Sequence, residues 1–84
     1  MYKIEINKRL YKELEKYPKR DYEKIREKLD ALRDDPRPRW VEKLQNSAYR
    51  LAVGNYRIIY EIDDKRVVII VINVADRKDA YKKK

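Results

Sequence analysis

Gly54 and Asn55 stand between two segments, residues 49–53 and 56–63, in which polar and apolar side chains alternate. Gly54 is the only glycine among the 84 residues. The two-residue turns that close β-hairpins require positive φ, and glycine and asparagine tolerate it best. The pattern therefore predicts a hairpin with this pair at its turn, which fixes the partner of every residue on both strands.

The predicted register puts Ala52 opposite Arg57 and makes Arg50 and Arg57 diagonal neighbours, about 7–8 Å apart at the backbone. Because side chains alternate between the faces of a strand, these three residues share one face. The other face, which we expect to pack on the core, carries Leu51, Val53, Tyr56, Ile58 and Tyr60. Two guanidinium groups with no acidic residue directly opposite either of them predict a phosphate-binding pair. The alternative is that Arg50 pairs with Glu61 on the same face.

One strand and two helices are predicted before the hairpin. Residues 2–6 alternate and predict a short first strand. Asn7 is a good N-cap for a helix over residues 8–17, which Pro18 ends. Asp21 is expected to cap a second helix, whose apolar stripe consists of Tyr22, Ile25, Leu29 and Leu32. Two amphipathic helices joined by so short a link predict a helical hairpin lying on a sheet.

An irregular segment is predicted between the second helix and the hairpin, over residues 34–48. Within it, Trp40, Val41 and Leu44 are expected to pack against the core. The exposed cations of the segment are then Arg37, Arg39 and Lys43.

Residues 66–74 are apolar at nearly every position, which predicts a central strand covered on both faces. The helices cover one face, and a C-terminal segment or a partner covers the other. The predicted fold class is α+β with the order β-α-α-β-β-β. A helical hairpin packs on one face of a four-stranded, mainly antiparallel sheet. The whole chain, residues 1–84, is one domain that ends in a short basic tail.

The amino-acid composition limits which partners the protein can bind and which side chains can take part in catalysis. The formal net charge is +8 and 45% of residues are charged, which suits an acidic partner such as nucleic acid, an acidic protein segment or an anionic membrane. The chain has no cysteine and no histidine, so thiolate and imidazole chemistry are excluded. No apolar run is long enough to cross a membrane. We expect a cytoplasmic protein without cofactor, metal or membrane partner.

Four segments together resemble the RelE/ParE toxin superfamily: residues 43–44 (KL), 49–51 (YRL), 53–62 (VGNYRIIYEI) and 74–81 (VADRKDAY). The resemblance covers almost the whole chain and implies the same β-α-α-β-β-β fold. The superfamily contains both ribosome-dependent mRNA nucleases and gyrase poisons on one scaffold, so the fold alone does not decide the activity.

In the nuclease branch, the resemblance implies catalytic roles for Arg50, Arg57, Arg77 and Tyr81. The first three match the family's basic positions, and Tyr81 matches a tyrosine associated with stacking on the mRNA base. Ala52 departs from the pattern, because many members carry a second arginine or lysine there. Asp76 departs as well, since a histidine or basic residue is frequent near that position.

Cleavage of RNA by its own 2′-hydroxyl requires activation of that oxygen, stabilisation of the phosphorane charge and protonation of the leaving oxygen. Arginine is a poor proton shuttle but binds phosphate oxygens well. We therefore expect the three arginines to act electrostatically. Asp76 is the candidate general base, and a ribosome that aligns the mRNA would supply the positioning. The predicted RNA- and ribosome-binding cations are Arg37, Arg39, Lys43, Lys78, Lys82, Lys83 and Lys84.

The leading prediction is the toxin of a type II toxin–antitoxin system, a ribosome-dependent endoribonuclease that cleaves translated mRNA. Its predicted partners are a RelB-like antitoxin, the ribosome and mRNA. The toxin alone would be a monomer that joins a hetero-oligomer with its antitoxin. Two alternatives stay open, a ParE-like gyrase poison and an inactive relative that retains only antitoxin binding. Ala52 and the lack of histidine favour the gyrase poison, whereas the preserved arginine and tyrosine positions favour the nuclease.

Overall fold

The computed structural model describes residues 1–45 and 47–76, and in that part of the chain two helices pack on one face of a five-stranded sheet. The elements in chain order are β1 (Lys3–Ile6), α1 (Lys8–Glu15), α2 (Lys19–Asp34), β2 (Glu42–Lys43), β3 (Ala48–Val53), β4 (Tyr56–Asp63) and β5 (Val68–Asp76). The strands lie in the order β1-β5-β4-β3-β2, and only β1 and β5 are parallel. The predicted α+β class is thereby confirmed.

The β3–β4 hairpin has the predicted register, with Val53 opposite Tyr56 and Ala52 opposite Arg57. Gly54 adopts a φ of +57°, and Asn55 does not adopt positive φ. Positive φ at the first turn position alone is the pattern of a type II′ turn. The alternating burial of β4 places every second side chain, beginning with Tyr56, in the core.

β2 is a strand that the sequence analysis did not predict. Its two residues extend the sheet beyond β3, with Glu42 opposite Arg50 and Lys43 opposite Tyr49. The prediction of an irregular segment is therefore wrong at these two positions. The physical reason is length, because two residues cannot display the alternation by which a strand is recognised. This short strand changes the surroundings of Arg50.

The start of α1 agrees with the sequence and the start of α2 does not. The Asn7 side chain accepts a hydrogen bond from the Leu10 backbone N–H at 2.8 Å, which confirms the predicted cap. α2 begins at Lys19 with Pro18 in the cap position, so the prediction that Asp21 caps this helix is wrong. Asp21 lies in the first turn, where a negative charge interacts favourably with the helix dipole. Its carboxylate accepts a hydrogen bond from the Tyr56 hydroxyl at 2.8 Å.

The core forms between the helical stripe and the inward face of the sheet. Ile25, Leu29 and Leu32 are buried as predicted, and Tyr22 is half-buried. Tyr60 is fully buried and donates its hydroxyl hydrogen bond to the Pro36 carbonyl at 2.8 Å. That hydrogen bond fixes the link after α2, because it satisfies a polar group that would otherwise be buried without a partner.

Trp40 does not pack in the core, so this part of the prediction is wrong. Its side chain is 46% exposed, whereas the neighbouring Val41 is half-buried against the core. Val41 and the Tyr60–Pro36 hydrogen bond anchor the segment between α2 and β2. The Trp40 indole lies outside the core. The Lys28 ammonium lies over the indole, 4.4 Å from the ring centroid.

β5 starts two residues later than predicted because Val67 adopts a φ of +58°, which is not a strand conformation. Val71 pairs with Tyr60 and Asn73 with Ile59, so Ile72 is skipped in a β-bulge and is 44% exposed. The helices cover one face of the strand. The C-terminal segment that could cover the other face lies outside the described residues.

Candidate functional site

Three arginines line an open groove on the sheet face that points away from the helices. Arg50 and Arg57 come from the hairpin, and Arg39 comes from the link that precedes β2. We call this surface the arginine groove; its remaining lining residues are Trp40, Val41, Glu42, Leu51 and Ala52. The structure therefore brings together two of the predicted catalytic residues and one of the predicted binding cations.

Of the two hairpin arginines of the groove, Arg57 has the less occupied guanidinium. It is half-buried on β4, and among the described residues its guanidinium donates one hydrogen bond, to the Tyr56 carbonyl at 3.3 Å. In the described part of the chain, no carboxylate lies within ion-pair distance of it. Guanidinium carries five N–H donors, so most of them remain free to bind an anion in the groove.

Arg50 has an acidic residue directly opposite, contrary to the prediction. Its Nε and Nη2 donate to Glu42 Oε1 at 3.1 and 2.5 Å. The alternative pairing with Glu61 is also wrong, because the ion pair that Arg50 makes in the described part of the chain is with Glu42. Both side chains of the Arg50–Glu42 pair are largely exposed, and such surface pairs contribute only about 0.2–1 kcal/mol. A phosphate could therefore displace Glu42 at small cost.

Ala52 lies on the groove side of β3, directly opposite Arg57 and two residues from Arg50. Its side chain is exposed and small. A methyl group at this position places no long or charged side chain between Arg50 and Arg57.

Two of the predicted binding cations lie elsewhere. Arg37 forms an ion pair with Asp64 at 2.8 Å and donates to the Tyr49 hydroxyl at 3.1 Å, at the end of the hairpin away from Arg57. Lys43 is exposed and stands opposite the core-facing Tyr49, so it lies on the helix-side face of the sheet. Neither side chain lines the arginine groove.

The remaining predicted site residues lie outside the described residues; they are Arg77, Lys78, Tyr81, Lys82, Lys83 and Lys84. β5 reaches its last residue, Asp76, at the turn end of the hairpin. Asp76 is half-buried there and pairs with Tyr56, and the preceding Ala75 pairs with Arg57. Because Tyr56 faces the core, Asp76 lies on the helix-side face of the sheet, and Ala75 lies on the same face as Arg57.

The buried tyrosines are unsuited to proton transfer near neutral pH. Burial and the hydrogen bond to Asp21 raise the pKa of Tyr56 well above its ordinary value. Burial raises the pKa of Tyr60 in the same way. Both hydroxyls therefore stay protonated and structural, so the chemistry that the groove offers is electrostatic binding of an anion.

Within residues 1–45 and 47–76, no group of three or more acidic side chains is arranged to hold a metal ion. The two helices of this part are also too short or too polar to cross a membrane.

Sequence reasoning missed three residues of this region: Glu42, Trp40 and Lys28. Glu42 gave no signal because its strand is too short to recognise. The sequence predicts a core position for Trp40 because large aromatic side chains usually contribute to cores. Lys28 is one cation on a highly charged helix face, and only the three-dimensional structure places it over the indole.

A family model for the ParE toxin of type II toxin–antitoxin systems (parDE) matches residues 4–81. A candidate toxin of Methanocaldococcus jannaschii, RelE1, is 31% identical over 88 aligned residues that cover 96% of each chain.

Two solved structures contain similar chains. The archaeal RelE–RelB complex of Pyrococcus horikoshii OT3 matches with 34% identity and a TM-score of 0.83, over 90% of this chain and 94% of that one. The intact E. coli RelBE toxin–antitoxin complex matches with 28% identity and a TM-score of 0.79, over 90% of this chain and 96% of that one.

Proposed function

The chain belongs to the RelE/ParE superfamily of type II toxin–antitoxin toxins, and on that premise we propose that it is an endoribonuclease that cleaves translated mRNA on the ribosome. The observation that carries the proposal is the state of Arg57. Its guanidinium is half-buried in an open groove, beside a second arginine and without a carboxylate partner in the described part of the chain. A preorganised cation of this kind suits an anion whose charge grows during reaction.

In the proposed reaction, the 2′-oxygen of a ribose attacks the adjacent phosphorus. The bond from phosphorus to the 5′-oxygen breaks, which leaves a cyclic phosphate on one product and a 5′-hydroxyl on the other. Arg57 donates to the non-bridging oxygens of the phosphorane, and Arg50 joins it once the phosphate displaces Glu42. Solvent water takes the proton of the 2′-hydroxyl and returns one to the 5′-oxygen. Asp76, the base expected from the sequence, stands opposite the core-facing Tyr56 and so lies on the sheet face away from Arg57.

Residues outside the described part complete the proposal by resemblance. Arg77 would add a third cation to the phosphate, and Tyr81 would stack on a base of the mRNA. Lys78 and the three terminal lysines would contact the ribosome or mRNA by long-range attraction to phosphate. The ribosome would hold the mRNA for in-line attack, which supplies catalysis by positioning. A toxin that acts on ribosomes would work in the cytoplasm.

A RelB-like antitoxin is the proposed protein partner. The solved relatives from P. horikoshii and E. coli are RelE–RelB and RelBE complexes. A net charge of +8 suits an acidic antitoxin segment that folds on binding. The free toxin would be a monomer and would enter a hetero-oligomer only with its antitoxin.

A ParE-like gyrase poison is the second candidate. Two observations favour it: the matching family model is that of the ParE toxin, and Ala52 replaces a cation that many nucleases carry. DNA-damage signalling without mRNA cleavage, together with inhibition of gyrase supercoiling, would establish this alternative. Antitoxin binding without any effect on growth would indicate an inactive relative.

The experiment is mRNA cleavage in a purified translation reaction, with and without ribosomes, mapped by primer extension. The nuclease proposal expects cuts only when ribosomes are present, at positions within occupied codons. Folded protein that produces no cuts in either reaction would refute it, and the gyrase assay would follow.

A further inference from the structure

Trp40 is the groove residue that the proposed chemistry does not use. It is the only tryptophan of the chain, and it lines the arginine groove together with Arg39, Arg50 and Arg57. With 46% of its surface exposed, it contributes little to the core. An indole that lies in a polar, cationic groove and not in the adjacent core suggests a ligand with both a flat apolar part and a negative charge.

The Lys28 ammonium holds the indole from one side. It projects from α2 and lies 4.4 Å from the ring centroid, which is within the range of a cation–π contact. A cation over the ring occupies one of its two faces. A flat ligand that stacks on the indole would therefore use its other face.

Nucleotides combine the two features that this site would recognise. A base presents a flat π-face of the kind that stacks on aromatic side chains, and its phosphate is the anion that arginine binds best. We propose that Trp40 stacks on a nucleobase of single-stranded RNA whose phosphates lie along Arg39, Arg50 and Arg57. This inference rests on the proposed function for its substrate class and assigns a positioning role to Trp40.

The site favours RNA over an acidic protein segment. A protein carboxylate could pair with the arginines, but it would leave the free face of the indole without a flat partner. Stacking on an aromatic ring depends little on base identity, because every base has a π-face. Trp40 would therefore position mRNA without selecting a codon.

The intrinsic fluorescence of the protein reports on this site directly, because Trp40 is the single tryptophan. The probe is a short single-stranded RNA with 2′-O-methyl groups, which binds but cannot be cleaved. Stacking predicts quenching that saturates with RNA concentration. Inorganic polyphosphate, which carries phosphate but no base, should bind the arginines with little quenching.

Variants test the same contact through a labelled RNA and its fluorescence anisotropy. Stacking on one aromatic ring corresponds to about a 5- to 100-fold change in affinity. Trp40→Ala should weaken RNA binding by that factor, and Trp40→Phe, which keeps a ring, should restore part of it. Tyr11→Ala is the matched control, because Tyr11 is 44% exposed and does not line the groove.

The outcomes separate this inference from the proposed function. Quenching by RNA with weaker binding of Trp40→Ala supports the stacking role, even if the wild-type protein cleaves no mRNA. The role would be overturned if both Trp40 variants cleaved mRNA and bound RNA as the wild type does, and if saturating RNA did not quench the wild-type fluorescence. The nuclease proposal would then remain intact. Quenching by the antitoxin but not by RNA would also overturn it. If Trp40→Ala fails to fold, the RNA affinity of Trp40→Phe and the fluorescence titration of the wild type still test the stacking role.

Discussion

Arg50 and Glu42 lie directly opposite each other on β3 and β2, and the guanidinium donates two hydrogen bonds to one carboxylate oxygen. Arg57, the diagonal neighbour of Arg50, has no such partner in the part of the chain that the structure describes. Arg50 and Arg57, the two hairpin arginines of the groove, are thus in different states before a ligand binds. Arg57 can accept a phosphate at once, whereas Arg50 must first release Glu42.

Glu42→Gln should therefore strengthen RNA binding. The surface ion pair that a phosphate displaces is worth about 0.2–1 kcal/mol, which corresponds to about 1.5- to 5-fold in affinity. Because Arg50 contacts the phosphate in both proteins, the dependence of log affinity on log salt should keep the same slope. Anisotropy titrations of a labelled single-stranded RNA over a salt series measure the affinity and the slope.

Glu5→Gln is the matched control for Glu42→Gln, because it removes the same charge from an ion pair with Arg66 that lies outside the groove. It should change RNA affinity less than Glu42→Gln does. Equal effects of the two substitutions would mean that Glu42 acts only through the net charge and not by occupying Arg50.

Val67→Asn should stabilise the fold. Val67 adopts a φ of +58°, and a β-branched residue is strained there, whereas asparagine tolerates this region. The expected gain in the free energy of unfolding is about 1 kcal/mol, measured by urea denaturation. Val67→Ala removes the branched side chain and keeps an unfavourable residue at positive φ, so its gain should be smaller. If Val67→Asn lowered the free energy of unfolding more than Val67→Ala does, the backbone at Val67 would not be strained.

The contact between Arg37 and Asp64 predicts a dependence of stability on pH. Hydrogen bonds from Arg37 and Tyr2 lower the pKa of Asp64 below its usual value of about 3.8. The stabilisation by ionised Asp64 is therefore complete above the unfolded-state pKa and is lost as pH falls through the folded-state pKa. The difference in unfolding free energy between wild type and Asp64→Asn should be constant from about pH 5 to 7 and shrink below about pH 4.

Asp30→Asn is the control for Asp64→Asn, because it removes an exposed aspartate on α2 away from Arg37. Chemical denaturation at several pH values measures both differences. If the Asp64→Asn difference stayed the same at pH 3 as at pH 6, the Arg37–Asp64 contact would not stabilise the fold.

The hairpin could be predicted residue by residue because two independent signals agreed. Gly54 located the turn, and alternation on both sides of it then determined every partner. The order of the predicted elements and the α+β class follow from similar periodicities in longer segments. Arg50 and Arg57 were placed on one face by the same argument, and the structure confirms that placement.

The surroundings of these arginines could not be predicted, because they depend on contacts between distant segments. Glu42 reaches Arg50 through a strand of two residues, too short for a periodic signal. Asp21 has the residue type of a cap but pairs with Tyr56, and Trp40 has the residue type of a core position but lies in the groove. Residue type gives a propensity, and tertiary packing decides which of several favourable partners is used.

The most direct measurement is single-turnover cleavage of mRNA positioned in programmed ribosomes by wild type, Arg57→Ala and Arg66→Ala. Arg66 is the control, because its ion pairs with Glu5 and Asp63 lie outside the groove. Loss of one preorganised cation from the phosphorane should slow Arg57→Ala by about 10²–10³-fold, with wild-type thermal stability. Arg66→Ala should cleave at the wild-type rate. Cleavage by folded Arg57→Ala at the wild-type rate would contradict a catalytic role for the arginine groove.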